Sequence, residues 1–281
     1  WPGGLKACKQ PNDLALNALL TPSPQDLSTV VSCSPVQSAV KIFVVNEGLN
    51  PVSGAVMHYQ LNTEPMVTEP LPDLAPDESL DFEFQQPMVV SENGLNTLRV
   101  WSTYTEEDVL FNDTIVRTFQ ATVVPTDQFF TEDFQSPIFP SQGWAIGNPD
   151  EFVTWDRTVT NITGINGQNT RAVFINCFNY NARGQEDYLY LPPMDLSSLT
   201  NPGLVFDLAH ANYNNDYRDS LRIEVFPNCD QSVPPITIWG KAGTTLATRT
   251  PSTSAFSPNN ASDWRIEGIS LEAFANQTII V

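Results

Sequence analysis

The stretch VKIFVVNEGLNP, Val40 to Pro51, decides the fold class. Its first six residues are mostly apolar and β-branched, which suits a strand packed on one face. Asn46, Glu47 and Gly48 then supply turn chemistry. GLNTLRVWSTY, from Gly94, reads the same way in reverse, a turn followed by a strand. Further strands are expected at Leu14–Leu20, Ser38–Asn46, Ala55–Leu61, Leu80–Phe84, Asn96–Ser102 and Ile115–Val123, each bounded by Gly, Pro, Asn or Asp. Helical periodicity is nearly absent. The best candidate, LSTVVSCSPV, holds too many β-branched residues and a proline. Short strands at this spacing are the pattern of an immunoglobulin-like sandwich.

Length and charge narrow the function classes. A chain of 281 residues suggests two domains. With 32 acidic and 13 basic residues the net charge is −19, which repels phosphate backbones and anionic lipid. We therefore expect neither nucleic-acid binding nor docking on anionic membranes. Acidity of this kind suits divalent cations, although diffuse acidity most often serves solvation. No apolar run approaches the length of about 18 residues that a spanning helix needs. The chain starts at Trp1 and stops inside the apolar run Thr278–Val281, so we read it as a piece of a longer polypeptide.

The register changes at PTDQFFT, which places a boundary between domains 1–125 and 126–281. In the first, NDLALNAL, Val-Val-Asn-Glu-Gly, LPDLAPDESLDFEF and GLNTLRVWS resemble a CARDB-type immunoglobulin-like domain over roughly residues 11–124. That resemblance implies a spacer or interaction module without catalysis. The second shows, in order, Phe-x-x-x-Phe with acids between, Pro-x-x-Gly-Trp, Trp-Asp, Asp-Tyr-Leu before Pro-Pro, and Asp-x-Leu-x-Ile-x-Val. It resembles the choice-of-anchor J or cleaved-adhesin domains of Bacteroidota surface proteins, which are akin to MAM domains. The implied fold is a jelly-roll β-sandwich, and the implied export route is type IX secretion. Members of that family continue past the position of Val281.

Cys8, Cys33, Cys177 and Cys229 allow three connectivities, of which one bridge per half, Cys8–Cys33 and Cys177–Cys229, is the simplest. Their use suggests an oxidising, extracellular or cell-surface setting. His210, in VFDLAHANY, shares a face with Phe206 and Leu208 if the strand is regular, while Asp207 points the other way. It reads as a strand-end histidine. No Gly-x-Ser-x-Gly, His-Glu-x-x-His or activated cysteine is found, so no catalytic residue is assigned. Asn214, Asn215, Asp216 and Asp219 form an oxygen-rich loop, and Thr131-Glu132-Asp133 and Glu186-Asp187 offer further donors suited to calcium. Turn formation is the plainer reading of the same residues. The adhesin-type resemblance implies a structural Ca2+, mapping most directly to Glu132, with Asp133, Asp187 and Asp219 as further candidates.

Tyr213 and Tyr217, in an Asn-rich loop, are the candidate binding surface. Trp144, Trp155, Trp239 and Trp264 read as buried sandwich aromatics. Sequons occur at Asn112, Asn161, Asn260 and Asn276. The expected protein is all-β, an immunoglobulin-like sandwich followed by a jelly roll. It is a non-catalytic structural or adhesive segment of a larger secreted or surface protein. Its partners are other domains of that polypeptide, a protein or glycan ligand, or copies of itself. The alternative is an accessory carbohydrate- or substrate-binding module of a secreted protease or glycosidase.

Overall fold

The computed structural model describes residues 9–23, 29–180, 183–214 and 216–281. Among the described residues the fold is all-β, with four short 3-10 turns. The chain divides into two compact units. The first holds the described residues up to 30 together with 35–91 and 95–120; the second holds 31–34, 92–94 and 121–281.

Ten strands lie between residues 14 and 122: β1 Leu14–Thr21, β2 Thr29–Val31, β3 Val36–Ser38, β4 Lys41–Asn46, β5 Val56–Leu61, β6 Val67–Pro70, β7 Ser79–Glu83, β8 Met88–Val90, β9 Gly94–Thr103 and β10 Thr114–Thr122. They form a sheet β1-β4-β7, a sheet β2-β10-β9-β5-β6 and a ribbon β3-β8. All six strands expected from the sequence are present. The one expected from Ser38 is divided, with β3 ending there and β4 starting at Lys41. The helix candidate LSTVVSCSPV carries β2, as its β-branched content demands.

Alternation builds the core. Along β4 the residues Ile42, Val44 and Asn46 are buried and their neighbours are not; along β5 the same holds for Met57, Tyr59 and Leu61. Leu98 and Val100 of β9 are fully buried. Aromatic packing continues this core: the Tyr59 ring meets Phe84 edge-on at 4.9 Å, and Phe84 meets Phe82 at 5.0 Å.

The turn after β4 explains why a polar residue ends that buried row. The Asn46 amide donates to the Asn50 carbonyl at 2.9 Å and the Leu74 carbonyl at 3.0 Å, and accepts from the Gly48 N–H at 3.0 Å. A buried amide with these three bonds satisfies the turn from inside. Gly48 is required by proximity. A Cβ there would lie 2.8 Å from both the Asp13 nitrogen and the Pro11 oxygen.

The second unit is built from shorter pieces. Its strands are β11 Ala145–Gly147, β12 Trp155–Arg157, β13 Ile162–Thr163, β14 Asn169–Thr170, β15 Val173–Ile175, β16 Tyr188–Tyr190, β17 Met194–Asp195, β18 Gly203–Leu208, β19 Ser220–Pro227, β20 Ile236–Ala242, β21 Arg265–Ser270 and β22 Thr278–Ile280. Four of them make the sheet β17-β22-β19-β20. The rest pair as ribbons, β11-β16, β12-β15, β13-β14 and β18-β21. Leu196, Val225, Leu271 and Ile279 centre the core.

The cysteine pairing differs from the simplest expectation. Cys33 bonds to Cys229, with Cα atoms 6.0 Å apart, and Cys177 is a free thiol. The reason is that residues 31–34 belong to the second unit. Ser32 donates to the Thr122 carbonyl at 2.9 Å, and the Gln231 amide donates to the Val31 carbonyl at 2.8 Å. These contacts carry Cys33 to Cys229, within disulfide reach. Cys8 lies outside the described residues. The bridge fits an oxidising compartment. Among the described residues no helix is long and apolar enough to cross a membrane.

In the first unit Asp113 is buried, with burial first and then the charges of Glu107 and Asp13 pushing its carboxyl up to about 7. The folded state therefore holds this proton more tightly than the unfolded chain, whose ordinary value is 3.8. Stability from this group is fullest below pH 4, falls as pH rises toward 7 and levels off above. In chelated buffer the unfolding midpoint should fall across that window, and Asp113→Asn should flatten the fall; an unchanged profile in the variant would contradict the assignment. Asn46→Ala removes three side-chain bonds from the turn, while the Gly48 N–H keeps the Asp13 carbonyl at 3.2 Å and the Leu74 carbonyl keeps the Val52 N–H at 2.9 Å, and should cost about 1–3 kcal/mol in denaturant unfolding. A cost under about 0.5 kcal/mol would show that water replaces the amide.

Candidate functional site

The second unit encloses a wide cavity of about 2560 Å³. Glu132, Asp133, Asp187, Tyr213, Tyr217 and Asp219 all stand on its wall. They share this wall without converging on one point.

Tyr213 and Tyr217 sit in the loop after β18, and Asn214 shapes that loop. Its Oδ1 accepts the N–H groups of Asp216 at 2.8 Å and Tyr217 at 3.0 Å. This local turn leaves Tyr217 60% exposed and Tyr213 41% exposed. Their rings meet edge-on at 5.7 Å. Phe178, 47% exposed, packs on Tyr213 at 5.9 Å from the 3-10 turn Cys177–Asn179. The three rings form one continuous aromatic surface. Sequence reasoning missed Phe178, because nothing in its neighbourhood announces a partner 35 residues away. Asn215, expected as an oxygen donor, lies outside the described residues.

The carboxylates are dispersed along the wall. Glu132 accepts the Phe134 N–H at 2.6 Å, and Asp133 accepts that of Gln135 at 3.0 Å, so both are engaged in turn bonds. Asp219 Oδ2 lies 3.8 Å from His210 Nε2. Asp187 Oδ1 is buried without a hydrogen-bond partner, and burial raises that carboxyl above its ordinary range. Among the described residues, no three His, Cys, Asp or Glu side chains are grouped to hold a metal ion.

Cys177 and His210 are the groups that nucleophilic chemistry would recruit. Burial, reinforced by the Asp219 and Asp187 charges, pushes the Cys177 thiol up to about 12. A thiol so held is protonated at neutral pH and is a poor nucleophile. His210 is tied down as a strand-end residue. Its N–H donates to Thr248 Oγ1 at 3.0 Å, its carbonyl accepts the Thr248 N–H at 2.9 Å, and its Nε2 lies 3.1 Å from Asn212 Oδ1. Asp207 is exposed on the other face of β18, out of register with the half-buried Phe206 and Leu208.

Of the four indoles expected to be buried, only Trp144 is; Trp155, Trp239 and Trp264 are half-buried and held by hydrogen bonds. Trp155 donates to the Asp187 carbonyl at 3.2 Å, Trp239 to Glu267 at 3.3 Å and Trp264 to the Thr163 carbonyl at 2.7 Å. Trp144 is buried. Tyr180 is fixed by its hydroxyl donating to Asp150, a bond that pushes the phenol up to about 12.

No family model matches the chain, and no curated protein matches it. Among solved structures, it is similar to the crystal structure of a CARDB domain from Pyrococcus furiosus, in complex with di-metal ions. The match has 14% identity and a TM-score of 0.30, over 42% of this chain and 99% of that one. It is also similar to a β-glucosidase from Listeria innocua in complex with glucose. That match has 16% identity and a TM-score of 0.21, over 40% of this chain and 16% of the glucosidase. At these scores neither likeness carries an argument about function.

The thiol assignment is checked by alkylation with iodoacetamide at pH 7.5 and peptide mapping. Cys177 should label at least about tenfold more slowly in the native protein than in urea, while Cys33 and Cys229 are recovered as one linked peptide. Native labelling at the unfolded rate would contradict the buried, protonated thiol.

Proposed function

We propose that this chain is a non-catalytic structural or adhesive segment of a larger extracellular protein, and that it contacts its ligand through Phe178, Tyr213 and Tyr217. The observation that supports this reading is the exposed aromatic surface at the wall of a wide, largely apolar cavity. Tyrosine and phenylalanine give large contact area at low conformational cost, and the phenol adds a hydrogen-bonding handle. The net charge of −19 repels sulfated or carboxylated ligands, so the ligand class that fits is a neutral glycan. In this reading the first half is a CARDB-type spacer and residues 126–281 are an adhesin-type jelly roll. A structural calcium on the cavity wall belongs to the same proposal. Its shell would take Asp187, the carboxylate with an unpartnered buried oxygen, and be completed by carbonyls and water.

An array of neutral oligosaccharides, probed in calcium and in chelator, tests the reading. Wild-type protein should bind a subset. Tyr213→Ala, Tyr217→Ala and Phe178→Ala should each weaken binding by about tenfold, the loss of one stacked ring, and chelator should weaken it further. Binding unchanged in all three variants, or confined to anionic glycans, would overturn the proposal.

A further inference from the structure

Of the seven tyrosines in the chain, four have hydroxyls engaged within the protein. Tyr59 donates to the Gln86 carbonyl at 3.0 Å, Tyr104 to Glu106 at 3.4 Å and Tyr188 to Glu186 at 3.0 Å, and Tyr180 donates to Asp150. Among the described residues, the hydroxyls of Tyr190, Tyr213 and Tyr217 have no partner. All three residues line the cavity of the second unit. Tyr213 and Tyr217 are exposed, so water serves them. Tyr190 is half-buried, and a phenol withdrawn from bulk water ordinarily finds a hydrogen-bond partner.

Tyr190 does not stand alone. It follows Tyr188 by two positions on β16, so both side chains lie on one face of the strand. Their rings stack at 6.0 Å with planes 19° apart. They close over Gly147 of β11, where a Cβ would lie 3.3 Å from atoms of both side chains. Tyr188 is tied to Glu186, which also accepts from Arg222. Burial first, then the charge of Glu224, raises the Tyr190 phenol above its ordinary value, so it stays protonated and offers a donor at neutral pH. Asp187, next to Tyr188 in sequence, bears electrostatically on the Cys177 thiol, and Cys177 precedes Phe178. The Tyr188–Tyr190 stack therefore stands along the same wall as the exposed rings. The cavity, about 2560 Å³, exceeds the roughly 300–1,000 Å³ of sites that take one compact small molecule.

We propose that Tyr188 and Tyr190 form a second contact point on this wall, and that the ligand is a linear neutral oligosaccharide long enough to lie across both aromatic groups. This rests on the glycan reading above and adds to it the length of chain that is bound. A sugar chain offers apolar C–H faces to rings and hydroxyls to phenols. The stacked pair over Gly147 meets the first, and the unpartnered Tyr190 hydroxyl meets the second. A short sugar covers one aromatic group only. Each further unit adds contact without a second loss of translational freedom, so affinity grows with chain length.

Calorimetric titration of the full chain with gluco-, manno- and xylo-oligosaccharides of two to six units tests this. In a series that binds, the hexasaccharide should bind at least about tenfold more tightly than the disaccharide. Tyr190→Phe keeps the ring stack and removes only the hydroxyl. It should weaken hexasaccharide binding about fivefold, the loss of one hydrogen bond, and so shrink the gain with length. Equal affinity for all lengths, or a gain with length untouched in Tyr190→Phe, would overturn the second contact point and leave the glycan reading standing. Absence of binding in all three series would sink both.

Discussion

The constraint on which the first unit depends is that each long strand has one dry face. Ile42, Val44, Met57, Tyr59, Leu98 and Val100 are buried while the residues between them reach solvent. A slip of one residue in any of these strands would turn that set outward. Everything polar in the unit is arranged around this division. Asn46 occupies a buried position only because its amide closes the turn after β4. Asp113, by contrast, is buried with an oxygen left over. A well-satisfied buried polar group supports the fold, and one left with an open oxygen costs stability when it is charged. The two residues show that difference within one unit.

The second unit follows another logic. Its strands are short, its sheets are mostly two-stranded, and its chain encloses space rather than filling it. Order there comes from polar fixings, some local and some between distant strands. Buried Glu267 accepts from Arg265 at 2.7 Å, from Lys241 and from Trp239. Asp263 accepts the N–H groups of Asn259 at 3.0 Å and Asn260 at 3.2 Å. The Cys33–Cys229 bridge spans 196 residues of sequence, a long loop whose closure removes much of the unfolded chain's freedom. Such a frame holds irregular loops in place, and irregular loops are where Phe178, Tyr213 and Tyr217 stand.

Local pattern made the strands legible. Lys41–Asn46 and Gly94–Thr103 alternate in sequence as they do in burial, whereas LSTVVSCSPV was read only as unfit for a helix and its strand β2 was not expected. Tertiary facts were not legible. Nothing near Cys33 says that residues 31–34 leave the first unit, so the bridge to Cys229 was hidden. Tyr213 and Tyr217 could be picked from their loop, but Phe178 joins them only through space. Asn112 read as a sequon. Its amide is bonded to Asp13 and its Oδ1 is buried, a burial that depends on a loop folding back by nearly one hundred residues. Glu132 and Asp133 carried the expected chemistry of acids, and the structure uses them in turn bonds to Phe134 and Gln135.

The central claim is that the aromatic surface is where this chain meets its ligand. Its most direct measurement is an aromatic-region NMR titration with a mixture of neutral hexose oligosaccharides. The account predicts that the ring signals of Phe178, Tyr213 and Tyr217 move together, while those of Tyr59, Phe82 and Phe84 in the first core stay fixed. Ligand-dependent shifts that bypass the three exposed rings, or no shift at all, would contradict it.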